Sequence, residues 1–207
     1  MSIHDLRVGR LVTALVGAVA LSLPSVQAVA AQGAHRSAAV DSIRQIQQMS
    51  PTFGPIGTVV HLSTENLPVQ AKVHVGYGAT RTGFEALFEV QQGMWGDIAA
   101  ELTVPPSAPW DRAIVFVAFN AIFSPIGLSD PFHVVNEDGL VRRSGTITDE
   151  SETCTTFRDQ DDYLYALSGD LAALPVGTEV VIEGTYSPTG SCMGGSTIAV
   201  VSVSTGG

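Results

Sequence analysis

Charged side chains are scarce in this sequence of 207 residues. Asp, Glu, Lys and Arg make up 14% of it, where a soluble globular domain usually has about a quarter. The charges that are present are mostly acidic, and the formal net charge is −10. Because no basic stripe offers a footprint for phosphates, the composition excludes a nucleic-acid partner. The acidic balance also disfavours adhesion to anionic lipid.

Sequence signatures of catalysis are lacking as well. The chain has no Gly-x-Ser-x-Gly elbow, phosphate-binding loop, dinucleotide fingerprint or His-Glu-x-x-His pair. Carboxylates are present, but no spacing among them singles out the pair that a glycosidase needs. We therefore expect a protein that is not an enzyme and holds no cofactor.

Long apolar runs are absent, apart from one short run near the amino terminus. Arg7 and Arg10 precede the apolar stretch Leu11–Leu23, and Ala28-Val29-Ala30 supplies small residues for cleavage. This pattern predicts a signal peptide at 1–30, cleaved near Ala30, and a periplasmic or secreted protein with no membrane span in the mature chain. The alternative is an uncleaved anchor, for which the run is short.

Cysteine occurs only twice, at Cys154 and Cys192. An even pair in an exported protein indicates a disulfide. The bond would close a loop of about 39 residues and contribute about 4 kcal/mol through loop entropy. The alternative, a metal site, needs further ligands, and no histidine follows His133.

Turn residues and short alternating segments are what the chain has in plenty, with 21 glycines and 11 prolines. Residues 50–135 contain strand patterns about every 12 residues, which is typical of a β-sandwich. Residues 31–49 are predicted to be a linker, with a short helix over Val40–Met49 as the alternative. The strands predicted in the sandwich segment are Thr58–Leu62, Lys72–Val75, Ala86–Val90, Asp97–Val104, Ala113–Phe119 and Pro131–Val135.

A second unit is predicted at 138–204, after the polar turn Asn136–Gly139. Its short length and few strands predict a small closed barrel of the OB type. Leu171–Leu174 is compatible with a single helical turn. The predicted strands are Leu140–Thr148, Tyr163–Leu167, Glu179–Tyr186 and Thr197–Val203. The expected fold class is all-β, an immunoglobulin-like β-sandwich followed by a small OB-like β-barrel.

Short Pro- and Gly-containing motifs recur at the edges of the strands of the first unit. They are Ser50-Pro51, Gly54, Gly57, Asn66-Leu67, Val104-Pro105 with Ala108, and Asp130-Pro131-Phe132. With these motifs the first unit resembles the IPT/TIG family of immunoglobulin-like domains, and in bacteria this resemblance implies a binding or spacer module outside the cytoplasm. The chain departs from the family at Ser63–Leu67, which lacks the usual glycine, and this leaves the shape of that loop open.

The second unit combines its two cysteines with regularly spaced glycines, in particular Gly145, Gly169, Gly177, Gly184 and Gly194-Gly195. In this pattern it resembles a family of small uncharacterised bacterial exported domains. The resemblance implies no activity.

Acidic residues between the barrel strands are the first candidate site. Asp159, Asp161 and Asp162 offer closely spaced oxygen ligands for Ca²⁺. The alternating ligands, central glycine and terminal glutamate of a calcium loop are missing, so solvated turns are the alternative.

Aromatic and imidazole side chains are the remaining candidates. Tyr163, Tyr165 and Tyr186 are candidates for a stacking platform on the barrel for a neutral glycan, and core packing is the alternative. The histidines of the first unit have no metal spacing, so we expect surface or edge positions for His61, His74 and His133. Trp95, between Gly93 and Gly96, is either an exposed contact residue or the cap of a core edge.

Taken together, these patterns predict an exported, non-catalytic binding or scaffolding protein of the bacterial cell envelope. The expected partner is an envelope protein or a glycan. The alternative is a small-ligand binder, for glycan or calcium, that uses the barrel. An enzyme of unknown class is the third possibility.

Overall fold

β-strands are the only regular elements among the residues that the computed structural model describes, which are 43–79, 81–169, 171, 174–190 and 195–205. The predicted all-β class is therefore confirmed. These residues all belong to one compact body, Val40–Gly207, which contains both the first and the second unit predicted from the sequence. The strands are β1 (Arg44–Gln45), β2 (Gln48–Ser50), β3 (Phe53–Pro55), β4 (Val59–Thr64), β5 (Val73–Ala79), β6 (Gly83–Val90), β7 (Ile98–Thr103), β8 (Ala113–Phe119), β9 (Pro125–Leu128), β10 (Phe132–Val135), β11 (Leu140–Thr148), β12 (Thr156–Asp159), β13 (Leu164–Ser168), β14 (Glu179–Ser187) and β15 (Thr197–Thr205).

Some predictions fall outside the described residues. These are the signal peptide with its cleavage site, the first part of the linker, the middle of the predicted helical turn at 171–174, and Cys192. Within the described part of the chain, no helix has the length and apolar character needed to cross a membrane.

Two sheets enclose the first hydrophobic core. A three-stranded sheet has the order β2-β4-β7, and a seven-stranded sheet is centred on β8, which pairs with β5 on one edge and with β9 and β10 on the other. Alternation directs Val60 and Leu62 of β4 inward, and Phe116 of β8 meets them from the larger sheet. As its dense apolar run predicts, every residue of β8 is buried.

Residues 43–49, the described part of the predicted linker, are part of the sandwich rather than a tether or a helix. β1 pairs in parallel with β9 of the larger sheet, and β2 pairs antiparallel with β4 of the smaller one. Between them Ile46 is buried in the core that both sheets share. A helix in so short a segment is not stable by itself and would need tertiary contacts. The burial of Ile46 and the pairing of both short strands therefore outweigh the local helical preference of the segment.

The second core lies inside a closed barrel with the strand order β11-β12-β13-β15-β14. β13 and β15 are parallel, and the other pairs are antiparallel. Closure requires close backbone approach at Gly145, where a Cβ atom would lie 2.1 Å from the carbonyl oxygen of Arg158. The register between β14 and β15 shifts between Glu183 and Gly184, where Val201 of β15 is left without a partner, and Gly184 is a second point of close backbone approach.

β10 links the two units without a flexible connection. Its Phe132 and Val134 belong to the sandwich core, whereas Val135 belongs to the barrel core. The following turn is held by the side chain of Asn136, whose Oδ1 accepts hydrogen bonds from the backbone N–H groups of Asp138 and Leu140. The polar turn expected at a boundary is thus a tight, hydrogen-bonded connection.

Candidate functional site

A cluster of buried polar side chains lies where the sandwich meets the barrel. We call it the junction cluster, and it consists of His133 from β10, Arg143 from β11, Asp159 from β12, Tyr165 from β13 and Tyr186 from β14. All five residues are buried. It is the richest concentration of buried titratable groups among the described residues, so we consider first what chemistry it permits.

His133 lies at the centre of the cluster and is 1% exposed. Its ring stacks on Tyr186 at a centroid distance of 3.9 Å and meets Tyr165 edge-on. Its Nδ1 lies 3.0 Å from Nη2 of Arg143. Because a guanidinium only donates, Nδ1 accepts and the ring is neutral. Burial, and then the charge of Arg143, hold the pKa of His133 well below its usual value.

Arg143 joins the two units through its guanidinium. Nη1 donates to the backbone carbonyl of Trp110, a residue of the sandwich, at 2.9 Å. Its Nε lies 3.9 Å from Oδ2 of Asp159, the acidic member of the cluster. Both side chains are 1% exposed, so each is the principal compensation for the other's buried charge.

Asp159 organises the turn between β12 and β13. Its Oδ1 accepts hydrogen bonds from the backbone N–H groups of Asp161 and Tyr163, both at 2.9 Å. Its Oδ2 accepts one from the hydroxyl of Tyr165 at 3.1 Å. Burial raises the pKa of Asp159, and these hydrogen bonds together with Arg143 oppose that rise.

Two arginines from sandwich loops hold the same turn from outside. Arg112 donates from Nε to Oδ2 of Asp161 at 2.9 Å and from Nη2 to its Oδ1, which makes a bidentate pair. The Asp161 side chain is fully buried in this contact. Arg81 pairs with Asp162, but both of these side chains are mostly exposed. The turn is therefore clamped mainly by Arg112.

The calcium candidates do not form a cation site. Asp159, Asp161 and Asp162 each face a different arginine, so their oxygens point in different directions and already have charge partners. Among the described residues, no three His, Cys, Asp or Glu side chains are grouped to hold a metal ion. The alternative of solvated turns is also wrong for Asp159 and Asp161, because both are buried at the contact between the units.

The three tyrosines do not form an exposed platform either. Tyr165 and Tyr186 are packed in the barrel core, and Tyr163 is half-buried against it. Tyr186 also meets Phe53 of β3 edge-on at 5.5 Å. Core packing, the alternative reading of these residues, is what the structure has for Tyr165 and Tyr186.

The remaining candidates are scattered. His61 is exposed, with its Nδ1 3.2 Å from Oε1 of Glu101, and His74 stacks on Phe123. His133 is buried, so the expected surface or edge position is wrong for this residue. Cys154 lies among described residues and Cys192 does not, so the disulfide stays a prediction.

Two open grooves lie at the surface, and Asp159 of the junction cluster is part of the lining of the second. One, of about 660 Å³, crosses the outer face of the three-stranded sheet and is lined by polar side chains that include Gln48, His61 and Ser63. The other, of about 340 Å³, lies on the barrel near Thr146 and Arg158. In the first groove, Nδ1 of His61 lies 3.2 Å from Oε1 of Glu101, and Ser50 is opposite His61 on the neighbouring strand, but no side-chain hydrogen bond joins these two described residues, Ser50 and His61. The lining of the second groove has no histidine or cysteine.

Arg112 and Arg143 were not predicted as site residues from the sequence, although the alternation pattern around Arg143 indicates an inward position. In β11 the alternation places Arg143 on the same face as Val141 and Ile147, which are core residues. A charge at an inward position predicts a buried partner of opposite sign. Nothing in the local sequence singles out Arg112.

Comparison of the chain with protein-family models, with curated proteins and with solved structures finds no match. The geometry described above is therefore the basis for any statement about function.

Proposed function

We propose that this protein is a non-catalytic binding or scaffolding protein of the bacterial cell envelope, in which a sandwich and a barrel act as one rigid body. The junction cluster carries the proposal. Units joined in one chain move relative to each other by default unless their contact is extensive. Here the hydrogen bond from Arg143 to the carbonyl of Trp110, a stacked histidine and a bidentate arginine clamp all cross the contact.

The location of the buried groups with shifted pKa values supports a structural role for them. Catalytic sites shift pKa values in clefts that a substrate can enter. His133, whose pKa is lowered mainly by burial, is instead stacked on Tyr186 and meets Tyr165 edge-on, and the side chain of Asp159 is 1% exposed. A substrate would have to displace packed aromatic rings to reach His133.

Export and family remain part of the proposal. The basic residues, the apolar run and the small residues near Ala30 support a signal peptide. Two packed sheets are what an IPT/TIG-like domain requires, and a closed five-stranded barrel is what an OB-like domain requires. Both resemblances imply a spacer or binding module, in keeping with the rigid junction.

The partner is tested by photo-crosslinking in intact envelopes, followed by affinity capture. We expect one envelope protein, or one glycan on an array, to be recovered reproducibly with the folded chain. Heat-unfolded protein of the same sequence is the control and should recover neither. Recovery of the chain alone, or steady turnover of a substrate by the pure protein, would overturn the proposal.

A further inference from the structure

Three loops converge at the end of the sandwich opposite the barrel. They are residues 65–72, 91–97 and 120–124, and together we call them the distal tip. β5 begins at this end, and β6 and β8 finish there, because both pair antiparallel with β5. The barrel is attached at the other end, where β10 pairs with the beginning of β8.

The distal tip carries the most exposed large apolar side chains of the sandwich. Trp95 is 79% exposed and Ile122 is 82% exposed, whereas those elsewhere on the described sandwich are exposed by 39–48%. Single exposed apolar residues are ordinary, but a group of them marks an interaction surface. The group is Val69, Met94, Trp95, Ile122 and Phe123.

The first two loops are joined by hydrogen bonds that keep these side chains outward. The side chain of Gln92 accepts from the backbone N–H of Gln70 at 2.7 Å and donates to the carbonyl of Pro68 at 3.1 Å. Gly96, with a φ of +86°, lies against the carbonyl of Leu67, where a Cβ atom has no room. Val69 and Trp95 thus project from a braced pair of loops.

The third loop is held in a strained shape that exposes Ile122. Phe123 has a φ of +57°, which is uncommon for a bulky residue and is a strained conformation. The Oδ1 of Asn120 accepts from the backbone N–H groups of Ile122 and Ser124, at 3.1 and 2.9 Å. Phe123 stacks on His74 at 4.8 Å. Strain that is retained in this way is a frequent mark of functional loops.

The charges around the tip identify what kind of surface it fits. Its only cation, Lys72, pairs with Glu89 at 3.0 Å, and the other charged side chains in its loops are Glu65 and Asp97. The groups that brace the loops are amides and backbone. With a net charge of −10, the protein is repelled by anionic surfaces. An acceptor for this tip is therefore apolar and carries no net negative charge.

We propose that the distal tip inserts into the interfacial region of a zwitterionic lipid bilayer and anchors the protein peripherally. Trp and Phe are favoured at this depth, because one part of the ring is apolar and the surroundings are polar. Apolar side chains that are 57–82% exposed, on three separate loops, fit a fluid acceptor that needs no matching shape. Binding then follows from the apolar area buried. This inference is independent of the proposed scaffolding role.

The test uses residues 40–207, the compact body, which omits the apolar run at the amino terminus. Phosphatidylcholine vesicles should sediment the protein, shift its tryptophan emission to the blue and allow quenching by brominated lipid. The variant Trp95→Gln with Ile122→Gln should lower the partition coefficient at least about tenfold. Replacing part of the lipid with phosphatidylglycerol should weaken binding.

The matched control is Val201→Gln, which removes an exposed apolar side chain of β15 on the barrel and should leave binding unchanged. Circular dichroism of each variant checks that the fold is retained. Absence of binding at millimolar lipid, tighter binding to the anionic vesicles, or equal loss in the control overturns the inference. The inference is also overturned if the tip variant still binds vesicles as the natural protein does but no longer crosslinks to an envelope protein, because the tip would then be a protein-docking surface.

Discussion

At the residue scale, Arg143 has the most demanding position in the molecule. It is a fully buried cation whose charge is balanced across 3.9 Å by Asp159, and it bonds both His133 and the backbone of Trp110. Removing one member of a buried pair leaves the other charge uncompensated, which is usually more harmful than removing both. Its neighbour Arg142 pairs with Glu183 at the surface, where such contacts contribute little.

Replacing Arg143 with Met should therefore lower the free energy of unfolding by about 3–5 kcal/mol, measured by urea denaturation at neutral pH. Arg142→Met is the matched control, with an expected change below about 1 kcal/mol. Adding Asp159→Asn to the Arg143 variant should recover part of the loss. Equal effects of the two single arginine changes would contradict the buried position of Arg143.

His133 should make stability depend on pH. The pKa of the folded state lies well below the unfolded value of about 6.5, so the unfolded chain binds the proton more readily. Stability is then fully present above about 6.5 and is lost as the pH falls from there towards the folded pKa, by up to about 1.4 kcal/mol per pH unit. Asp159, whose pKa is raised, changes stability in the opposite sense, because the folded state holds its proton longer as the pH rises from about 4.

The contribution of His133 is isolated by His133→Gln, which keeps an acceptor for Arg143 without a titrating ring. The free energy of unfolding of the natural protein should rise between about pH 5 and 6.5, and the slope should be smaller in the variant. Parallel curves for the two proteins would show that His133 is not buried in its neutral form.

At the element scale, β11 is the strand on which barrel closure depends. It pairs with β12 along one edge and with β14 along the other, and at Gly145 it runs against the carbonyl of Arg158. That contact is with backbone, which cannot move aside as the end of a flexible side chain would. Glycine is required there because of space, since its φ is not in the left-handed region.

Gly145→Val should therefore destabilise the protein by about 1–3 kcal/mol or more, because the added methyl groups force β11 and β12 apart. Thermal unfolding monitored by near-ultraviolet circular dichroism measures the effect on the barrel tyrosines. Ser144→Val, one position earlier on the same strand, is the control and should change the midpoint little. A variant at 145 as stable as this control would mean that the strands do not approach so closely.

At the scale of the whole molecule, we expect the contact between the sandwich and the barrel to make their unfolding cooperative. Asp161 is buried against Arg112, whereas Asp162 and Arg81 meet in solvent, although both arginines hold the same turn. The bidentate hydrogen bond to Asp161 raises the pKa of Arg112, so this cation keeps its charge at any working pH. The pair of Arg112 and Asp161 is important because Asp161 is removed from water and would otherwise be an uncompensated buried charge. The exposed pair of Arg81 and Asp162 contributes little to stability.

The natural protein should unfold in one calorimetric transition, and Arg112→Ala should split it into two and lower the stability by about 2 kcal/mol. Small-angle scattering should then detect a wider distribution of overall dimensions. Arg81→Ala should leave both measurements unchanged within error. A single transition that persists in the Arg112 variant would indicate that other contacts couple the units.

Much of the strand pattern was predictable, since it depends on neighbours in sequence. The run Ala113–Phe119 predicts a strand buried on both faces, and Glu179–Tyr186 predicts a strand of the barrel; both are observed, as β8 and β14. β9 and β12 were missed because each is only four residues long and lies in a stretch rich in turn signals. The segment around Ile46 was missed because its strands exist only through pairing with distant ones.

The all-β class can be read from the sequence, because alternation and turn residues act within a few positions. The roles of the acidic residues and the tyrosines depend on contacts between distant parts of the chain. Arg112 and Asp161 are 49 positions apart, and Arg81 and Asp162 are 81 apart, so no local pattern can pair them. They meet because β10 continues directly into the barrel and brings the turn after β12 against the sandwich loops. The same long-range pairing gathers three apolar loops at the distal tip.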